Sequence, residues 1–79
     1  MLTAKEMLDK IKWSNKFEPE NIILFYFDRI KNKNIGIKYK DIKIDDNYIL
    51  VREGLKITKI PLHRLREIRN KGIIMWKRK

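Results

Sequence analysis

Residues 22–27 read Ile22-Ile23-Leu24-Phe25-Tyr26-Phe27, the longest uninterrupted apolar run in the chain. Six consecutive residues, mostly β-branched or aromatic, suit a buried strand better than a helix. The run therefore predicts the central strand of a sheet, ended by Asp28-Arg29. Lys31-Asn32-Lys33-Asn34 reads as a solvated turn. Beyond it Ile35, Ile37 and Tyr39 alternate with Gly36 and Lys38, and Ile42 and Ile44 then alternate in the opposite phase. Lys40-Asp41 is accordingly expected to hold a turn or bulge that resets the register. Asp45-Asp46-Asn47 predicts a hairpin turn into a short strand over 48–52, closed by Glu53-Gly54. Residues 55–60 read as another strand, limited by Pro61, which has no amide hydrogen to donate. After a change of direction near Pro61-Leu62-His63, residues 65–69 and 73–77 flank Asn70-Lys71-Gly72. That tripeptide resembles a three-residue hairpin loop with glycine at the left-handed position. Leu62, Leu65 and Ile68 also fit a helical spacing, so a short helix there is the competing reading.

Upstream of the run, Thr3-Ala4-Lys5-Glu6 fits a capping box, in which the Thr hydroxyl and the Glu carboxylate each take a free amide of the first turn. A helix over residues 4–12 follows. Ala4, Met7, Leu8 and Ile11 share one face, with Lys5, Glu6, Asp9 and Lys12 on the other. The helix is expected to act as a lid on the core, with Trp13 and Phe17 in an irregular connection plugging a core edge. At 79 residues the chain makes one small domain. The fold class is α+β: an N-terminal helix packed on a mostly antiparallel β-sheet or small partly open barrel.

Composition narrows the chemistry. With 43% hydrophobic and 38% charged residues the chain is apolar enough to fold and must display its charge outside. The absence of cysteine excludes a disulfide framework and a thiolate metal site. A single histidine with scattered carboxylates gives no zinc spacing, so neither metal nor other cofactor is expected. An apolar run of six residues is far short of the roughly 20 that cross a bilayer, so no membrane partner is expected. Lys5, Glu6, Asp9 and Lys10 fill the place of a secretory apolar stretch, and a cytoplasmic location is the expectation.

The net charge of +10 is local. Residues 55–79 hold nine of the 20 basic side chains and one acid, Glu67. A local excess of this kind points to a polyanionic partner. Within it, His63 beside Arg64 can read phosphate, and Arg64, Arg66 and Arg69 carry planar forks that hold phosphate oxygens bidentately. In an extended segment Arg64 and Arg66 share a face; in a helix Arg66 and Arg69 do. Lys71 adds charge, while Lys77, Arg78 and Lys79 read as a mobile tail offering only screened attraction. At the end of the central strand, Arg29 either reaches a surface groove, oriented by Asp28, or forms an exposed salt bridge with it. Trp13 and Trp76 are core residues or base-stacking ones. His63 has three readings: a phosphate contact, a structural histidine, or a general acid or base whose partner would be Asp28, Glu67 or a lysine.

Several of these residues carry a resemblance in a fixed order: Ile11-Lys12-Trp13 with Phe17, the apolar strand ending in Asp28-Arg29, Ile60-Pro61-Leu62-His63-Arg64-Leu65, and Gly72 to Trp76. Nearly the whole chain resembles the RNA cyclic-group end recognition domain family, known as stand-alone archaeal proteins and as a domain appended to RNA end-processing and two-histidine phosphoesterase proteins. The resemblance implies binding of RNA ends bearing a 2′,3′-cyclic or terminal phosphate, in RNA processing or repair, with RNA-processing enzymes as further partners. It nominates Asp28, Arg29, His63 and Arg64. The departure is Trp76-Lys77-Arg78, where an acid often follows the Trp in the family. The alternatives are a small RNA phosphoesterase using His63 and a sequence-indifferent basic nucleic-acid binder.

Overall fold

The computed structural model describes residues 3–78, with Glu53 described for its backbone alone. Helix α1 (Ala4–Trp13) starts on the predicted capping box: the Glu6 amide donates to Thr3 Oγ1 at 3.1 Å and the Thr3 amide to Glu6 Oε1 at 3.0 Å. The hydrogen bond donated by the Thr3 backbone amide holds the Glu6 carboxyl below its ordinary pKa. Ala4, Met7, Leu8 and Ile11 are buried, so the lid faces the core with the predicted side.

Seven strands follow: β1 (Ile22–Asp28), β2 (Lys33–Lys38), β3 (Ile42–Asp45), β4 (Tyr48–Glu53), β5 (Lys56–Pro61), β6 (Leu65–Asn70) and β7 (Ile73–Lys77). They form a four-stranded sheet, β2-β1-β6-β7, and a three-stranded sheet, β3-β4-β5, with every pairing antiparallel. The fold is α+β with two open sheets, not a closed barrel. Two 3-10 turns carry the chain between the sheets: Tyr39–Asp41 on the way out and Leu62–Arg64 on the way back. The phase change at Lys40-Asp41 is thus a change of sheet rather than a bulge within one. The helical reading around Leu62 survives only as the three-residue return turn, since residues 65–70 are strand. At the other end of β6, Asn70 pairs with Ile73, which leaves a two-residue loop of Lys71 and Gly72, both left-handed with φ of 53° and 83°. The predicted three-residue loop is one residue shorter because the right-handed strand twist favours this primed turn.

Leu8 of the helix, Ile22, Leu24, Leu65 and Ile68 of the larger sheet, and Ile49 of the smaller one are fully buried in one core. β1 lies inside its sheet, as its sequence predicts. Its burial is one-sided, however: Ile22 and Leu24 face the core, while Ile23, Phe25 and Phe27 stay half-exposed. A run apolar on both faces reads as buried on both, and here only one face is covered by helix and second sheet. Trp76 is core at 7% exposure, but Trp13 is 79% exposed. The helix runs one residue beyond its predicted end and carries Trp13 past the lid, under the ammonium of Lys12 at 5.4 Å. Phe17 packs at the core edge instead. No helix among the described residues is long and apolar enough to cross a membrane.

Candidate functional site

β1 and β6 are antiparallel, with Tyr26 opposite Leu65. Continuing outward, the last residues of β1 and the return turn Leu62–Arg64 reach the same end of the sheet, where β1 and the turn touch. Asp28-Arg29 and His63-Arg64, 35 positions apart in sequence, are brought to the same sheet end by this pairing. Asp28 does not pair with Arg29. Its Oδ1 accepts from the amides of Ile30 at 2.9 Å and Lys31 at 3.2 Å, an Asx turn that holds Arg29 at an exposed apex. The acid therefore shapes the turn that presents the base. On the facing segment His63 is exposed, Leu62 beneath it is buried and Arg64 is half-buried. The Nε of Arg64 is buried with no hydrogen-bond partner among the described residues.

Arg78 fixes the turn from the far end of the chain. Its backbone amide donates to the Arg66 carbonyl at 2.8 Å, extending the β6–β7 ladder by a residue. Its guanidinium donates from Nε to the Leu65 carbonyl at 2.9 Å and from Nη2 to the Leu62 carbonyl at 3.2 Å, the two carbonyls that bracket His63 and Arg64. It also lies 5.2 Å from the Trp76 ring. The expected mobile tail is corrected here: Lys77 ends β7 and Arg78 is bonded into the fold, because its half-buried guanidinium donates to the Leu65 carbonyl and adds a second donor to the Leu62 carbonyl. Lys79 lies outside the described residues.

Arg66 and Arg69 share the outer face of the larger sheet, although the segment is extended rather than helical. The reason is a β-bulge: Glu67 opposes Phe25 and Leu65 opposes Tyr26, so Arg66 is an extra residue in β6. The Arg66 guanidinium lies 5.8 Å from the Phe27 ring and that of Arg69 lies 4.7 Å from the Phe25 ring. Arg69 is also held by Glu67, whose Oε1 accepts from Nε at 3.1 Å and Nη2 at 3.0 Å. Lys71 is not part of this group. It sits in the β6–β7 loop with its amide on the Asn21 carbonyl at 3.0 Å, about 20 Å from the return turn by strand rise.

The chain thus gathers Asp28, Arg29, His63 and Arg64 at one sheet end, adds Arg66 and Arg69 on the adjoining face, and leaves Lys71 at the opposite end. Sequence reasoning missed Phe25, Phe27 and Arg78. The alternation that exposes the two rings is hidden in an all-apolar run, and Arg78 meets partners 13 and 16 positions away. Among the described residues no cluster of His, Asp and Glu could hold a metal ion. A separate hollow of about 590 Å³ lies on the smaller sheet, with Lys40, Lys43 and Arg52 around Leu50 and Ile57.

The chain is thus a small basic α+β domain with Arg29, His63 and Arg64 at one end of its larger sheet. The comparisons are specific: the model of the MJ1316 RNA cyclic group end recognition domain matches residues 1–78. The chain belongs to this family. It is similar to a UPF0248 protein of Metallosphaera sedula, 35% identical over 98% of this chain and 94% of the relative. The UPF0248 protein MJ1316 of Methanocaldococcus jannaschii is 35% identical over 95% and 92%, and a UPF0248 protein of Methanococcus maripaludis is 33% identical over 95% and 97%. No solved structure matches the chain significantly.

Proposed function

We propose that the protein binds RNA at a terminal phosphate, a 2′,3′-cyclic phosphate above all, and serves RNA processing or repair alongside RNA-processing enzymes. The observation that carries this is the return turn: His63 exposed beside a half-buried Arg64, on a turn clamped at both ends by Arg78. A cyclic phosphate is compact and carries one negative charge, so its recognition needs donors converging on a point rather than a long charged stripe. In this reading Arg64 and Arg29 grip the oxygens, His63 donates a hydrogen bond, and Asp28 holds the Arg29 turn in shape. Arg66 and Arg69 attract the adjoining backbone, and Lys71 contributes only long-range charge. The family's own description supports RNA ends as the target.

The test is one RNA oligomer prepared with a hydroxyl, a linear phosphate or a cyclic phosphate end. The cyclic end should bind most tightly, and H63A and R64A should each abolish the preference. Equal affinity for all three ends would leave a sequence-indifferent basic binder. Turnover of the cyclic end that vanishes in H63A would replace the binder with a phosphoesterase.

A further inference from the structure

The outer face of the four-stranded sheet is a large surface that the end site does not absorb. Strand pairing sets Ile23, Phe25 and Phe27 of β1 in its middle, and none of the three is buried. On one side lie Arg66, Arg69 and Lys77, and on the other Lys38. The one acid of this set, Glu67, is already paired to Arg69. Gly36 stands opposite Phe25, and a Cβ there would come within 3.0 Å of the ring, so the ring lies over bare backbone. Aromatic rings with guanidiniums at their faces, flanked by Lys38 and Lys77, complement a partner that offers both flat π surfaces and negative charge. Single-stranded nucleic acid does both at every residue. A protein partner could supply carboxylates for the cations but does not offer a flat π surface at every residue.

We propose that this face is a platform for the single-stranded RNA leading to the bound terminus, with Phe27–Arg66 and Phe25–Arg69 as two successive base-stacking stations. The proposal rests on the reading of RNA as the partner. Phe27 and Arg66 adjoin Asp28 and the return turn, so the strand would cross the sheet as one path from its end inward. Rings two residues apart on a strand stand about 6.8 Å from each other, twice the roughly 3.4 Å of a stacked step. The bases are therefore held splayed, one to each station.

The experiment is a length series: uridine oligomers of one, two, four and eight nucleotides with a 2′,3′-cyclic phosphate, titrated at fixed salt against wild type, F25L/F27L and R64A. Wild-type affinity should rise by about fivefold or more per nucleotide over the first nucleotides bound and then level off. F25L/F27L keeps apolar bulk but not the π faces, and should lose that rise while still preferring the cyclic end. R64A should do the reverse, losing the preference and keeping the rise. R66Q/R69Q, which spares the β1 core face, should flatten the rise if F25L/F27L does not fold. The charge-matched control K43A/R52A on the smaller sheet should keep it. A wild-type affinity that does not grow beyond one nucleotide overturns the platform, as does a rise that F25L/F27L and R66Q/R69Q both retain. So does a wild-type dimer that only F25L/F27L dissociates. If the rise is present and ring-dependent but no end is preferred, the platform stands and the end reading falls.

Discussion

Replacing Arg78 by Ala removes two guanidinium hydrogen bonds, to the carbonyls of Leu65 at 2.9 Å and Leu62 at 3.2 Å. A bond involving a charged group contributes roughly 1.5–3 kcal/mol. Two factors reduce the sum here. Arg78 is only half-buried, and the Leu62 carbonyl keeps the amide of Leu65. A loss of about 2 kcal/mol remains, equivalent to a fall of roughly 8–16 °C in Tm for a domain of this size. R78K keeps the charge but cannot reach both carbonyls with a fork, and should recover less than half of the loss. Urea and thermal unfolding followed by circular dichroism measure the global effect. Hydrogen exchange at the Leu65 amide reports the turn itself, and should speed up in R78A beyond the change at amides of β4. Stability of R78A within about 0.3 kcal/mol of wild type would refute the clamp, and so would an R78K variant equal to wild type.

T3A should lower stability by about 1 kcal/mol through loss of the N-cap, as read from urea midpoints. Because Glu6 titrates below its ordinary value in the folded chain, its share is present above the unfolded pKa and fades as pH falls through the folded one. The gap between wild type and E6Q should therefore close in acid. Burial, and then the Asp9 carboxylate, raise the Tyr39 phenol above 10.0, so its contribution is intact below that pH and lost as pH rises through the folded value. Y39F should flatten the alkaline decline in denaturant midpoints. K71N should stabilise by roughly 0.5 kcal/mol, since asparagine accepts the left-handed φ of 53° before Gly72. Placed at the far end of the sheet, the same change should leave preference among RNA ends unaltered; a lost preference would put Lys71 back into the site.

The helix was legible because its signals are local: a capping box within four residues and an apolar stripe at helical spacing. Strand positions were legible for the same reason, but their assembly was not. Opposite phases across Lys40-Asp41 are equally the mark of a bulge and of a passage to another sheet, and only pairing distinguishes them. Residues 22–27 hide their own polarity, since an all-apolar strand looks identical whether its second face meets a helix or a partner. Asp28-Arg29 and His63-Arg64 could be nominated together only through the family resemblance, because the β1–β6 pairing that joins them is a long-range choice. Glu67 reads in sequence as the lone acid opposing a basic segment, and its pairing with Arg69 follows from their common face.

The extra residue in β6 has a consequence for how such chains can vary. Without Arg66, Leu65-Glu67-Ile68-Arg69 would alternate strictly between core and outer face, and the ladder with β1 would need no irregularity. Gain or loss of a single codon at this place therefore adds or removes an arginine beside Phe27 without turning any β6 side chain over relative to β1, at the cost of the carbonyl that accepts the Arg78 amide on the β7 side. Elsewhere in the strand a one-residue insertion would turn Leu65 or Ile68 outward. Length change, which a sheet normally resists, is here absorbed on the β1 side of the strand and resisted only on the β7 side.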